Sequence, residues 1–260
     1  MDPAILVLAG RRSAAIDPLA ARAGVTHKAM VPVGGEAMVG RVLRIAQAAF
    51  PGAPLYVSVD DAAALSGETT VARLLAAGRL TIVPARANLV DSLIEASRLT
   101  GFPLVITTAD NVLMTPEGMR AIAAAGTADD ADAIAMMAER DDILAAHPDG
   151  QRRFYAFRGG AYSNCNLFWL GSDRALDATD SFRLGGQFAK HKRRAVKALG
   201  LTTLLLYATR LLTLGGMFRH LSRRFAVRIR PLVTRDGRVA IDVDNERTFR
   251  VAEELLARGG

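Results

Sequence analysis

Ala4-Ile5-Leu6-Val7-Leu8-Ala9-Gly10-Arg11-Arg12-Ser13 is the stretch whose reading decides the fold. Its apolar run is of strand length and shows no polar alternation, the pattern of a strand buried on both faces in a parallel sheet. The run ends in a glycine, where backbone can approach a ligand closely, and then in two arginines. Adjacent guanidinium groups at a strand end are costly unless solvated or paired, and phosphate is the anion their geometry suits. Lys28, within Thr26-His27-Lys28-Ala29-Met30-Val31-Pro32-Val33-Gly34-Gly35, brings a further cation. The combination suits a nucleoside triphosphate. No dinucleotide-binding glycine fingerprint and no P-loop pattern occurs, which disfavours a P-loop kinase.

Working outward, Val39, Val42, Leu43, Ile45, Ala46 and Ala49 recur at helical spacing before Pro51-Gly52. Leu55-Tyr56-Val57-Ser58-Val59 reads as the next strand, ending in Asp60-Asp61, and 71–77 as a helix. A strand over 80–84, a helix from Asn88 to Thr100, a strand over 103–108, a helix begun by Thr115-Pro116-Glu117 and a strand over 131–137 follow. This alternation predicts an α/β protein, three layers α/β/α around a mostly parallel, mixed sheet with right-handed crossovers. Further on, 153–157 and 166–170 read as strands flanking a glycine-rich loop, Gly159 to Cys165, where a second substrate is expected. Leu199 to Leu214 reads as helical, 227–233 and 238–244 as strands joined by Arg235-Asp236-Gly237, and Glu246 to Ala257 as a closing helix.

Half of the residues are hydrophobic and 23% charged, a globular composition. One domain over 1–260 is expected, with a basic helical insertion at about 186–230. One cysteine, Cys165, excludes an internal disulfide and a cysteine-rich metal site. With no secretory pattern at the N-terminus, the cytoplasm is the expected compartment. The net charge of +7 is regional, concentrated between Lys190 and Arg230. That segment lacks zinc-finger spacing and an RNA-recognition aromatic motif, so nucleic acid is disfavoured. A helical lid or homodimer surface is its plainer reading, and peripheral contact of 190–230 with an anionic membrane the alternative. The apolar run at 199–214 is too short and interrupted to span a bilayer.

Aspartates at strand ends are the candidate metal ligands, because ligands gather beyond the carboxyl ends of strands in open α/β sheets. Asp110 ends one strand in Ala109-Asp110-Asn111, and Asp242 and Asp244 alternate on another. Hard carboxylate oxygens suit Mg²⁺, which binds one or two carboxylates together with phosphate oxygens and water. Turn formation at Asp110 and capping of the last helix by Asp244 are the structural alternatives. Asn164 and Asn166 offer amides for a polar acceptor, although turn formation explains them as well. His27, His147, His191 and His220 show no metal-ligand spacing, and Cys165 reads as a small buried side chain.

Together these segments resemble the nucleotidyltransferases of glycosyltransferase-A-type fold, the group that includes molybdenum-cofactor guanylyltransferase and the sugar-alcohol phosphate cytidylyltransferases. The resemblance is carried by Leu8-Ala9-Gly10, by His27 to Met38, by Thr107-Thr108-Ala109-Asp110 before Leu113-Met114-Thr115-Pro116-Glu117, and by Ile241-Asp242-Val243-Asp244 before Phe249. It implies a nucleotide-diphospho-sugar transferase-like, Rossmann-like fold. It also implies attack by a substrate phosphate on the α-phosphorus of a nucleoside triphosphate, with CTP or GTP as donor, a small phosphorylated acceptor and pyrophosphate as product. Leu8, Ala9, Gly10, Arg11 and Arg12 would then line the triphosphate, Lys28 and Arg12 would act on its charge, Asp110 and Asp244 would hold Mg²⁺, and Ser92 would lie near base or ribose. The chain departs from the family at Arg11-Arg12-Ser13, where a glycine-rich run with Arg-Met-Gly is usual, and at Asn245-Glu246-Arg247, in place of Thr-Pro-Glu, a change expected to weaken helix capping. A nucleotide-sugar-dependent glycosyltransferase and a non-catalytic nucleotide-binding module remain as alternatives on the same fold.

Overall fold

The computed structural model describes residues 2–11, 15–129, 131–176 and 200–259. Strand β1 (Ala4–Leu8) is its central element, and alternate side chains feed two separate cores. Ile5 and Val7 pack in the cluster that includes Val39, Val42, Leu43 and Ala46 of helix α2 (Met38–Ala49). Ala4 and Leu6 pack in the cluster that includes Leu93 and Ala96 of helix α4 (Leu89–Thr100). A strand covered on both faces has no polar side to show, which is why the sequence run is continuously apolar.

In chain order, β1 is followed by the short helix α1 (Pro18–Arg22), a 3-10 turn over Lys28–Met30, and a small antiparallel ribbon of β2 (Pro32–Val33) and β3 (Glu36–Ala37). After α2 come β4 (Leu55–Val59), α3 (Thr69–Ala76), β5 (Leu80–Pro84), α4, β6 (Leu104–Thr108), α5 (Pro116–Ala128), β7 (Ala133–Glu139) and α6 (Arg140–Ala146). β8 (Tyr155–Phe157) and β9 (Gly160–Leu170) form a hairpin, followed by α7 (Leu201–Ala208), α8 (Leu214–Phe225), β10 (Ile229–Thr234) and α9 (Glu246–Arg258). The sheet order is β5-β4-β1-β6-β9-β7-β10, with β8 on β9. β1, β4, β5 and β6 pair in parallel, as do β7 and β10, whereas β9 runs antiparallel to both β6 and β7. The predicted α/β architecture with a mostly parallel, mixed sheet is the observed one.

Three local expectations are corrected. Gly159 to Cys165 is not a loop: β9 starts at Gly160 and the reversal is confined to 158–159, where Gly159 has φ 92°. Residues 238–244 do not form a strand but a 3-10 turn, Gly237–Ala240, followed by an extended segment. Val239, Ile241 and Val243 are buried there, so the apolar alternation records burial without a full ladder of backbone partners. The helical reading of 199–214 breaks at 209–213, where Arg210 takes φ 53° and closes α7. The reading of 186–199, including Lys190 to Lys197, lies outside the described residues. Among those described, no helix is long and apolar enough to cross a membrane.

Candidate active site

The carboxyl ends of β1, β4 and β6 lie side by side, and each delivers a polar group to the same edge of the sheet. Ala9 extends β1 by donating its N–H to Ser58 O at 2.8 Å, and Ala109 N donates to Leu8 O at 3.0 Å. Gly10 follows, against the end of β5: a Cβ placed on it would stand 2.8 Å from Ala85 Cβ. A side chain at this position would collide with the Ala85 methyl, so a glycine is needed there whatever a ligand requires. Arg11 turns back onto Asp60 at the end of β4, donating from its backbone N–H (2.9 Å) and its Nε (2.6 Å). Burial alone would raise the Asp60 carboxyl, but the hydrogen bonds from Arg11 and His27 outweigh it and hold the group well below the usual carboxylate range. Arg12 lies outside the described residues.

His27 connects this pair to Lys28. Its ring is 2% exposed, and Nδ1 accepts the Ala29 N–H at 3.2 Å, capping the 3-10 turn. With Nδ1 an acceptor, the ring proton is on Nε2, which donates to Asp60 Oδ1 at 3.1 Å. The turn so fixed presents Lys28, whose Nζ donates to Asp110 Oδ2 at 2.8 Å and Asp244 Oδ1 at 3.0 Å. Burial pulls the ammonium pKa down, yet the two carboxylates more than compensate and raise it, so Lys28 is a cation here. Neither His27 nor Asp60 is marked as a site residue by the sequence pattern alone. The available signal was adjacency, His27 before Lys28 and Asp60 at a strand end, but only the fold brings the two together.

Asp110 follows β6, while Asp242 and Asp244 sit in the extended segment before α9. Val243 N donates to Asp110 O at 3.0 Å, which docks that segment on the β6 end. Asn245 then caps α9: its side chain accepts from Arg247 N and Thr248 N, and the Thr248 hydroxyl accepts from the backbone N–H of both Asp244 and Asn245. The expected weakening of the cap is therefore not found, because Asn245 and Thr248 build a capping box of their own. This also leaves the Asp244 carboxylate facing Lys28 instead of capping the helix.

One carboxylate oxygen from each of Asp110, Asp242 and Asp244 lies within 4.8 Å of the others. Three carboxylates around one ammonium leave an excess of negative charge. Burial, reinforced by the charges of Asp110 and Asp244, pushes the Asp242 carboxyl up to about 8. Asp110 Oδ1 is buried with no hydrogen-bond partner, an acceptor left over in a cluster of acceptors. An all-oxygen set with a spare buried acceptor and surplus negative charge fits a hard divalent cation such as Mg²⁺.

The remaining predicted residues fall around this centre. Asn111, next to Asp110, is buried and donates to Cys165 O (2.8 Å) and Thr107 Oγ1 (3.2 Å), tying β6 to β9. Cys165 is 1% exposed and burial pushes its thiol up, so it acts as a core side chain. Asn164 Nδ2 donates to Asn166 Oδ1 at 3.1 Å, and Asn166, with φ 47°, occupies the irregularity where the pairing of β9 with β7 shifts register. Leu167 is paired with Thr107, so this bulge runs past the end of β6, beside the carboxylates. Ser92 is buried at the start of α4 with its hydroxyl engaged, accepting from Arg86 N (2.8 Å) and donating to Asn88 O (3.0 Å). It braces the 86–88 loop.

Residues 5–212 match the family described as MobA-like NTP transferase domain. No curated protein sequence matches significantly. Among solved structures, a hypothetical transferase from Thermus thermophilus superposes with a TM-score of 0.78 at 25% identity, covering 96% of this chain and 100% of the other. The structure titled CMP:2-keto-3-deoxy-manno-octonic acid synthetase complexed with CTP gives 0.63 at 11% identity, with both chains covered fully. A 4-diphosphocytidyl-2C-methyl-D-erythritol synthase from Anaerococcus prevotii gives 0.54 at 9% identity, covering 98% of this chain and 97% of that one. The last two share the fold.

Proposed function

Because this chain belongs to the MobA-like NTP transferase domain family, and so is a nucleotidyltransferase that uses a nucleoside triphosphate, we propose that Lys28, Asp110, Asp242 and Asp244 form its reacting centre. Family membership favours nucleotidyl transfer over the glycosyl-transfer and binding-only readings. The reaction we assign is Mg²⁺-dependent transfer of NMP from CTP or GTP to a phosphomonoester in the cytoplasm. An acceptor phosphate oxygen forms a bond to the α-phosphorus, the bond from the α-phosphorus to the α,β-bridging oxygen breaks, and pyrophosphate leaves.

The observation that carries the reading is the meeting of three carboxylates and Lys28 at the ends of β1 and β6, with one Asp110 oxygen buried and unpartnered. Asp110 and Asp244, with Asp242 beside them, would hold Mg²⁺. When bound there, the ion would neutralise charge on the triphosphate and the departing pyrophosphate. The chain's own contribution is position and charge. Leu8, Ala9 and Gly10 bring the β1 backbone to the phosphates, Arg11 is aimed by Asp60, and Lys28 is held by the turn that His27 caps. Arg12 is assigned to the same phosphates on sequence alone. Ser92 shapes the loop beside the base, and Asn164 and Asn166 face the acceptor. The whole of 1–260 is read as one catalytic unit, supported by β10 pairing with β7 and by Asp242 and Asp244 lying beyond the family-matched segment.

The test is a screen of the four NTPs with Mg²⁺ against pooled sugar, alditol and lipid-headgroup phosphates, detecting pyrophosphate. Asp110→Ala is expected to abolish release while circular dichroism stays unchanged. An Asp110→Ala protein that still turns over in response to Mg²⁺ refutes the metal assignment.

A further inference from the structure

We propose that α7 docks the protein on an anionic lipid surface, with Leu201, Leu205 and the nearby Leu211 entering the headgroup region and Arg210, Arg219, Arg223 and Arg224 meeting lipid phosphates. This goes beyond the transferase reading and does not depend on it.

An ordinary surface helix turns its apolar side chains inward and its polar ones outward. In α7 the order is reversed. At 3.6 residues per turn, Leu201, Leu205 and Ala208 form one stripe and Thr203 lies on the opposite side. The apolar stripe is the one in solvent: Leu201 is 72% and Leu205 60% exposed, and Ala208 is exposed as well. Thr203 is 3% exposed, with its hydroxyl hydrogen-bonded to His220 Nε2 of α8 at 2.9 Å. The polar side chain thus fastens α7 to the protein while the leucines face water. Leu211, just past the helix, is 58% exposed and continues the apolar face. Apolar side chains gathered on one face mark a contact surface, where scattered ones do not.

Charge names the occupant. From Leu201 to Arg235 the chain carries seven arginines and no Asp or Glu. Arg228, Arg230 and Arg235 reach Asp132, Asp129 and Asp142. Arg210, Arg219, Arg223 and Arg224 are exposed and have no carboxylate partner among the described residues. Two of these four bracket the leucines. Arg210 directly precedes Leu211, and the Arg224 guanidinium lies at the start of α7, where a Cβ on Gly200 would stand 3.0 Å from its Cζ. A second copy on this face would set arginines against arginines across a two-fold axis. An anionic bilayer instead offers phosphates at the level of the guanidinium groups and acyl chains to the leucines. The stripe is a convex helix face about 12 Å long, which suits shallow docking in the plane of a deformable surface. No described helix is long and apolar enough to cross it.

The experiment is co-sedimentation of the full chain with vesicles of phosphatidylcholine alone and of phosphatidylcholine mixed equally with phosphatidylglycerol. Binding is expected on the anionic vesicles only, weakening as salt rises. Leu201→Ser and Leu205→Ser are each expected to weaken partitioning about tenfold, and Arg219→Gln or Arg223→Gln about fivefold, at unchanged circular dichroism. Leu205→Trp supplies a readout that needs no loss of binding: its emission should shift to the blue on anionic vesicles and be quenched by brominated acyl chains, while the native Trp169 is buried. Equal binding to both kinds of vesicle, binding that survives the paired leucine substitutions, or an unresponsive Leu205→Trp emission overturns the proposal. A dimer in sedimentation velocity that the leucine variants dissolve, with no vesicle binding, overturns it in favour of a second copy on this face.

Discussion

Replacing Lys28 by methionine should strengthen Mg²⁺ binding while suppressing turnover, and the geometry sets the scale. The ammonium lies 2.8 Å from an oxygen of Asp110 and 3.0 Å from one of Asp244, both assigned to the ion. An ion about 2.1 Å from the same oxygens is at most about 5 Å from Nζ, unless Lys28 first leaves both carboxylates. At about 5 Å, a charge of +2 repels +1 by about 1.7 kcal/mol even in the dielectric of bulk water, a factor of roughly 17 in Kd. If Lys28 instead moves away, the ion must displace two ion pairs, which opposes binding in the same direction. Isothermal titration of Mg²⁺ into nucleotide-free protein should therefore give a Kd about 17-fold lower for Lys28→Met, at unchanged helix content. Turnover should move the other way, by a factor on the order of 10² to 10³, the scale of a lost charge-stabilising donor. Equal or weaker Mg²⁺ binding in the variant would show that Lys28 and the ion do not share Asp110 and Asp244, and would remove the basis of the assigned centre.

Gly10→Ala brings a methyl to 2.8 Å from Ala85 Cβ, and should lower stability by about 1–3 kcal/mol. Since the clash is with a single methyl, Ala85→Gly in the same chain should restore most of it in urea unfolding; no rescue would mean that Gly10 answers to something other than that contact. Asp60→Asn removes the charge and one of the two acceptor oxygens from the hydrogen bonds that Arg11 and His27 donate, a loss of about 1.5–3 kcal/mol near neutral pH. Because the folded Asp60 carboxyl titrates below its unfolded value of 3.8, its contribution is fully present above that pH and fades as pH falls through and below it. The stability gap between wild type and variant should thus narrow in acid, and a gap that is constant from pH 7 to pH 3 contradicts the assignment. Asn245→Ala removes the α9 cap and should cost about 1 kcal/mol, read as a shift of the urea midpoint; an unchanged midpoint would show that the Thr248 side of the capping box suffices.

Much of this site was legible in the chain because it is built from strand ends. An unbroken apolar run at Ala4 to Leu8 requires cover on both faces, and the alternation with helices that follows requires a parallel sheet. Residues just after such strands face the ligand edge, so Gly10, Arg11 and Asp110 could be named before their neighbours were known. Pairing between distant segments was not legible in this way. Alternation at Val239, Ile241 and Val243 announces burial equally well in a strand and in an extended segment, and only the docking of Val243 on Asp110 distinguishes them. Gly159 to Cys165 reads as a loop by composition, yet its backbone finds ladder partners on β7 and β8, and so becomes strand.

The sequence by itself determined the α/β class, the central position of β1 and the acidic and cationic residues at the sheet's ligand edge, because burial period and strand-end chemistry are local properties of the chain. Only the tertiary structure decided that Lys28 stands between Asp110 and Asp244, and that His27 and Asp60 aim the loops carrying Lys28 and Arg11. Those are contacts between residues as many as 216 positions apart, and electrostatic and packing energies depend on distances of a few ångströms that no local pattern encodes.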